Sequence, residues 1–101
     1  MNASEQNFFI AASIERAEKA TETLMHYGIA IASMDIGRYT NPVIKVHYSP
    51  GCQRLKGHGF SQNPDSLRGV MLIKAALEEC LILWEEPYNP AIDIAASAAM
   101  H

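Results

Sequence analysis

Histidine and cysteine side chains lie close together in the middle of the chain, where metal or nucleophile chemistry would need them. His47, Cys52 and His58 fall within twelve residues, and Cys80 follows later in the chain. Zinc sites take four nitrogen or sulfur ligands, and paired ligands are usually two to four residues apart. His47, Cys52 and His58 contain no such pair. We therefore expect no metal and no cofactor, and we interpret both cysteines as small buried residues.

Cysteine is also the best candidate for a nucleophile, since a thiolate is intrinsically reactive. Such a nucleophile needs an adjacent base that a third group holds in place. Cys52 with His47 or His58 and with Asp65 is the combination that the sequence offers. Nothing around Cys52 resembles the turn that presents a catalytic nucleophile. The sequence therefore predicts a protein that is not an enzyme.

Basic residues concentrate in the middle of the chain and indicate a second kind of chemistry, the binding of an anionic partner. From Ile36 to Lys74 there are six Lys and Arg residues against one acid, which gives +5, whereas the flanks carry −8 and the whole chain −3. Such asymmetry either marks a binding face or is a solvated surface that the acidic flanks balance. A sheet that binds single-stranded nucleic acid combines basic residues with exposed aromatic rings, here Tyr39, Tyr48 and Phe60.

The candidate binding residues follow from this block and from one tryptophan. Tryptophan is favoured at interface hot spots, although a position in the core is the more frequent one. The residues that we select for binding a partner protein or nucleic acid are Arg38, Lys45, Arg54, Lys56, His58 and Trp84.

The element that must position most of these residues is a β-hairpin over Ile29–Tyr48. Hydrophobic and polar residues alternate in both arms, so that Ile44, Val46 and Tyr48 share one face while Lys45 lies on the other. This period of two, with many β-branched residues, favours half-buried strands. Residues 37–42 supply the turn between the arms.

The segments around the hairpin show other patterns. A helix from Phe8 to Tyr27 is predicted by a semi-apolar stripe at spacings of three and four: Ile10, Ile14, Ala17, Thr21 and Leu24. This helix ends at Gly28 and covers one face of the sheet. After the hairpin we predict a short strand over residues 55–60 and a loop over residues 61–68. The tail over residues 87–101 either forms a short helix that docks on the body or on another copy, or stays loose.

The stretch from Gly69 to Glu86 fits two structures. Val70, Ile73, Leu77, Leu81 and Trp84 lie on one helical stripe, and alanine, leucine and glutamate favour a helix. The same residues also form two alternating strands with a turn near Glu78.

A resemblance bears on this choice. Over residues 28–84 the order of a helix ending near Gly28, PVIKV, CQRLKG and the Cys-x-x-x-Trp of CLILW resembles small uncharacterised proteins of bacteriophages and prophages. In those sequences the part before the tryptophan alternates as strands do, although AALEE in this chain departs from that pattern. The resemblance implies a strand pair over Val70–Glu85, with one long helix over residues 65–86 as the alternative. The resemblance implies a phage or prophage origin and no particular activity.

Composition and length limit the class of protein. A chain of 101 residues with 49% hydrophobic and 19% charged residues is long enough for one modest core. We predict one α+β domain over residues 1–101, in which the N-terminal helix packs on an antiparallel meander. No apolar run is long enough to span a membrane, and two cysteines are too few for a secreted disulfide framework, so we expect a cytoplasmic protein without a membrane anchor.

These observations lead to two hypotheses about function. The first is a non-enzymatic accessory protein of phage or prophage type that binds another protein, with a second copy of the chain as one option. The alternative is a nucleic-acid-binding protein that uses a basic sheet face around Arg38–Lys56.

Overall fold

A five-stranded sheet and two helices make up the described part of the molecule. The computed structural model describes residues 3–37 and 41–88, so Arg38, Tyr39 and the tail from residue 89 onward lie outside it. The elements are α1 (Ala3–His26), β1 (Ile31–Asp35), β2 (Val43–Val46), α2 (Cys52–Lys56), β3 (Phe60–Asp65), β4 (Val70–Leu77) and β5 (Cys80–Pro87). The predicted α+β class is confirmed.

Helix α1 ends where the glycine signal predicts. Gly28 has a φ of 71°, its N–H bonds to the carbonyl of Met25 at 3.0 Å, and the N–H of Ile29 bonds to the carbonyl of Leu24 at 2.9 Å. This pair of bonds closes the last turn as a Schellman motif, and Leu24 and Ile29 are both buried beside it.

The helix is longer than predicted and is rotated about its axis, so that it buries a different set of residues. It begins at Ala3 instead of Phe8, and its buried residues are Ser13, Ala17, Ala20 and Leu24. Ile14, which was expected on the buried stripe, is 42% exposed. Small residues occupy most of the buried stripe, which lets the helix approach its neighbours closely.

The predicted hairpin is present as β1 and β2, which pair in antiparallel fashion with Asp35 opposite Val43. Ile44 and Val46 are 0% and 6% exposed, whereas Lys45 between them is exposed. The alternation therefore placed the core residues of β2 correctly. Tyr48 lies beyond the strand and is 48% exposed.

The strand pair over residues 70–85 is confirmed, and the alternative of one long helix is wrong. β4 and β5 pair in antiparallel fashion, with Leu77 opposite Cys80. Glu78 and Glu79 connect them with φ values of 50° and 60°, as a two-residue type I′ turn requires. Burial of Ile73, Ala75, Leu77, Cys80, Ile82 and Trp84 across the two strands outweighs the helical preference of the alanine- and leucine-rich middle.

Residues 52–65 differ from the prediction. The predicted strand over residues 55–60 is replaced by the short helix α2, and the predicted loop over residues 61–68 contains β3. Gly59, with a φ of 98°, turns the chain from one element to the other. β3 lies at the edge of the described sheet, where a proline without an N–H such as Pro64 is tolerated. The proline therefore did not mark a loop.

The strand order is β1-β2-β5-β4-β3. β3, β4 and β5 form an antiparallel meander, but β5 returns beside β2 and runs parallel to it. The sheet is therefore mostly antiparallel and not one continuous meander. The strand CLILWEEP takes the central position because it is apolar on both faces, which an edge strand does not need.

The buried core lies on one side of this sheet, which we call the inner face. It contains Ile44, Val46, Ile73, Ala75, Leu77, Cys80, Ile82 and Trp84 from the strands. Ala20 and Leu24 from α1 and Cys52 and Leu55 from α2 belong to the same buried cluster. The residues that alternate with the inner strand positions point to the opposite side, the outer face.

Candidate functional site

The outer face carries a row of side chains that strand pairing brings together. Lys45 on β2 lies opposite Leu83 on β5, and Lys74 on β4 lies opposite the same Leu83. The lysines are two strand spacings apart, which is about 9.6 Å at the backbone. We call Lys45, Leu83 and Lys74 the lysine row.

Aliphatic residues lie on both sides of the lysine row along the strands. Val43 and Leu81 form the next row in one direction, and Leu72 and Val70 follow in the other. All four, and Leu83 itself, are half-buried. An open depression of about 580 Å³ runs over this face and is lined by Lys45, Leu72, Lys74, Leu83 and neighbouring residues. Within residues 3–37 and 41–88, no element covers these side chains.

The charges of the outer face are not all balanced locally. Arg68 donates to Glu85 at 2.7 Å and lies 3.7 Å from a carboxylate oxygen of Asp65, and the hydrogen bond to Glu85 raises the pKa of its guanidinium. Lys45 and Lys74, in contrast, form no ion pair with any residue that the structure describes. The lysine row is therefore a local charge of +2 set among aliphatic side chains.

The other predicted basic residues do not share this face. Arg54 and Lys56 lie on α2 and His58 follows it, so the predicted basic surface on strands is not assembled from them. The Arg54 guanidinium lies 5.4 Å from the centre of the Tyr27 ring, and the Tyr27 hydroxyl is 3.1 Å from His58 Nε2. Of the six selected residues, Lys45 alone is described on the outer face.

Phe60 extends this second cluster with an exposed aromatic ring. It is 47% exposed, and Lys56 Nζ lies 5.3 Å from its ring centre. Arg54, Lys56, His58, Tyr27 and Phe60 form what we call the α2 cluster.

Trp84 occupies a core position instead of an exposed anchor point. It is 4% exposed, and its Nε1 donates to Glu86 Oε1 at 3.0 Å. Lys56 Nζ lies 2.9 Å from the same carboxylate oxygen. Burial by itself would raise the pKa of Glu86, but hydrogen bonds from Trp84 and Lys56 and the charge of Lys56 outweigh it and hold that pKa below its usual value. Trp84 thus anchors a structural contact between β5 and α2.

The histidine and cysteine side chains are not arranged as a catalytic pair in the described residues. Cys52 is fully buried, and its Sγ lies 3.7 Å from the main-chain carbonyl of His47 and 4.0 Å from the Ser49 hydroxyl. The His58 ring contacts Tyr27 instead. Burial also raises the pKa of the Cys80 thiol. Neither thiol has an imidazole base among its described hydrogen-bond partners.

Two further findings concern metals and membranes. Among the described residues, no group of three histidine, cysteine, aspartate or glutamate side chains is placed to hold a metal ion. Neither described helix combines the length and the apolar character needed to cross a lipid bilayer.

Sequence reasoning missed Lys74, Leu72, Leu81 and Leu83 as site residues. The sequences VMLIKAA and CLILW did contain a signal for a second apolar face. Apolar residues stand at successive positions in both strands, so both strands are apolar on two faces. The meeting of Lys45 with Lys74 depends on the parallel pairing of β2 with β5, which no local pattern encodes.

Comparisons of this chain with family models, with curated proteins and with solved structures found no match.

Proposed function

We propose that this chain is a non-enzymatic protein that acts by binding another protein through the outer face of its sheet. The observation that carries the proposal is the half-buried aliphatic surface around the lysine row, which no described element covers. Sheet faces of this composition are normally packed against another layer of structure. A partner protein would supply that layer.

The energetics favour an apolar partner surface over a purely ionic one. Fully burying an aliphatic side chain contributes about 1.5–3 kcal/mol, so completing the burial of a half-buried leucine or valine contributes on the order of 1 kcal/mol. Five residues could each contribute such an increment to the free energy of binding: Val43, Val70, Leu72, Leu81 and Leu83. The two lysines then select among partners, because a buried lysine without an acid opposite it would be unfavourable.

Nucleic acid is the second candidate, and the α2 cluster is the surface that favours it. Arg54 next to Tyr27, and Lys56 next to the exposed ring of Phe60, combine positive charge with aromatic rings as single-strand binders do. Lys56 is already paired with Glu86, which weakens this surface. We therefore rank nucleic acid below a protein partner.

The biological setting belongs to the same proposal. A phage or prophage origin rests on the resemblance over residues 28–84 and stays a prediction. A cytoplasmic location is supported by the two cysteines, which are both free and buried, as is usual in a reducing compartment.

A photo-crosslinking experiment tests the proposed face. A photoreactive amino acid would replace the exposed Ala76, which lies opposite Leu81 on the outer face, and in a matched control the exposed Gln53 on α2. After irradiation in cells that make the protein, we expect a discrete protein adduct from position 76 that resists nuclease. The proposal fails if position 76 gives no adduct, and an adduct at position 53 that nuclease removes would favour nucleic acid.

A further inference from the structure

The exposed side of α1 has a charge pattern that complements the outer face. Glu15, Glu18 and Glu22 lie three and four residues apart and are all exposed, so they share one side of the helix. None of them forms an ion pair with a described residue. Arg16 and Lys19 reduce the net charge of residues 15–22 to −1. Arg16 is paired with Glu79, so the exposed side with the three acids and Lys19 carries −2, opposite in sign to the lysine row.

Apolar residues lie on both sides of these acids along the helix. Phe8 and Ile14 precede them at 69% and 42% exposure, and Met25 follows at 72%. Along the outer face, Val43 and Leu81 precede the lysine row, and Leu72 follows it opposite Glu85, which is paired with Arg68. Both surfaces therefore have a charged centre with apolar residues on either side, and the two centres have opposite charges.

The dimensions of the two surfaces agree as well. Lys45 and Lys74 flank Leu83 at about 9.6 Å, which is close to the 10–12 Å width of a helix with its side chains. A helix that lay along β5 would have one lysine on each side of it. The acids from Glu15 to Glu22 extend over about 10.5 Å of helix, within reach of both flexible lysine side chains.

From this complementarity we infer that the partner on the outer face is a second copy of this chain, which contributes the exposed side of its α1. The inference rests on the proposed function, because it takes the outer face as the binding surface. Of the acids near the lysine row, Glu85 is paired with Arg68, and Asp35 lies opposite Val43 on β1, one row away.

The two surfaces face opposite directions on one protomer. The buried stripe of α1 belongs to the inner-face cluster, so the exposed side of α1 points away from the sheet, and the outer face lies on the far side. Because the two surfaces face opposite directions, one pair of copies cannot make both contacts at once, so this contact does not close as a two-fold dimer. The assembly is therefore a ring or an open chain whose size grows with protein concentration.

Charge reversal with complementation tests the inference by sedimentation velocity at low salt. One variant carries Lys45→Glu and Lys74→Glu, and the other carries Glu15→Lys, Glu18→Lys and Glu22→Lys. We expect the natural protein to form oligomers that dissociate as salt is added, and each variant alone to be monomeric, with association weakened at least about tenfold. Mixing the two variants restores oligomers, because each reversed surface then meets its complement.

The matched control is a charge reversal on α2, away from both proposed surfaces. Arg54→Glu changes the charge as much as Lys74→Glu does but lies on α2, so it leaves association unchanged. The inference is overturned if the natural protein stays monomeric, if the mixture does not associate, or if Lys45 cross-links to residues 89–101 of its own chain. If a monomeric protein still cross-links from position 76 to a different protein, the inference fails and the proposed function stands.

Discussion

Glu86 joins α2 to the central strand through one carboxylate. It accepts hydrogen bonds from Trp84 at 3.0 Å and from Lys56 at 3.2 Å. The side chains of Lys56 and Glu86 are 20% and 16% exposed, so water screens this pair less than a surface ion pair. Hydrogen bonds to charged groups contribute more than neutral ones, roughly 1.5–3 kcal/mol. This contact holds α2 in place even though the helix is a short one.

Replacement of Glu86 by Gln should lower the free energy of unfolding by about 1–2 kcal/mol at pH 7. The pKa of Glu86 is lower in the folded chain, so the unfolded chain binds more protons in acid. The stabilisation is therefore complete above the unfolded pKa of about 4.3 and is lost as the pH falls through the lower folded value. Urea unfolding of the natural protein and of Glu86→Gln, from neutral to acidic pH, measures this loss of stabilisation.

The difference in stability between the natural protein and Glu86→Gln should thus shrink as the pH falls below about 4.3. Asp35→Asn, at an exposed position on β1, serves as the control and should change stability little. A difference that stayed constant over the whole pH range would contradict the assigned role of the carboxylate.

At the scale of elements, the turn between β4 and β5 carries strain that the sequence does not relieve. Glu78 and Glu79 both have positive φ, which costs a residue with a side chain roughly 1–2 kcal/mol relative to a favoured conformation. Glycine and asparagine normally occupy such turns. The turn keeps this conformation because the buried residues of β4 and β5 fix the register of the two strands. Any other connection would shift that register.

Replacement of Glu78 by Gly should therefore raise the free energy of unfolding by about 0.5–1 kcal/mol. This change leaves the ion pair between Arg16 and Glu79 at 2.9 Å intact. The same substitution at Glu22, inside α1, should lower stability by about 1 kcal/mol. Thermal or urea unfolding of the two variants provides the comparison, and a loss of stability at both positions would show that the turn is not strained.

Local patterns predicted some elements well and others not at all. The alternation in VIKV identified β2, and Gly28 marked the end of α1. Pro64 and the glycines at 57 and 59 misled the prediction of β3 and α2, because an edge strand tolerates proline and a short helix fits between glycines. The candidate site was predicted poorly, since the lysine row depends on pairing between strands far apart in sequence.

At the scale of the whole molecule, the basic block of the sequence divides between different surfaces. Lys45 and Lys74 lie on the outer face, Arg54 and Lys56 lie on α2, and Arg68 is held by Glu85. A sum of charges along the chain therefore overstates any single basic face. The acids of α1 are on the side of the helix away from its buried stripe, and the lysine row is on the outer face of the sheet. If copies associate as proposed, this separation of charge would make their contact directional.

Mapping of amide chemical shifts by NMR tests most directly the central proposal, that the outer face is a binding surface for the α1 helix of a second copy of the chain. Spectra of the labelled protein would be compared on dilution and on addition of a single-stranded oligonucleotide. We predict that dilution shifts the amides of Lys45, Lys74 and Leu83 together with those of Glu15–Glu22, and that the oligonucleotide leaves them unchanged. Shifts confined to Tyr27, Arg54 and His58 on addition of the oligonucleotide, with none at the lysine row on dilution, would contradict the claim.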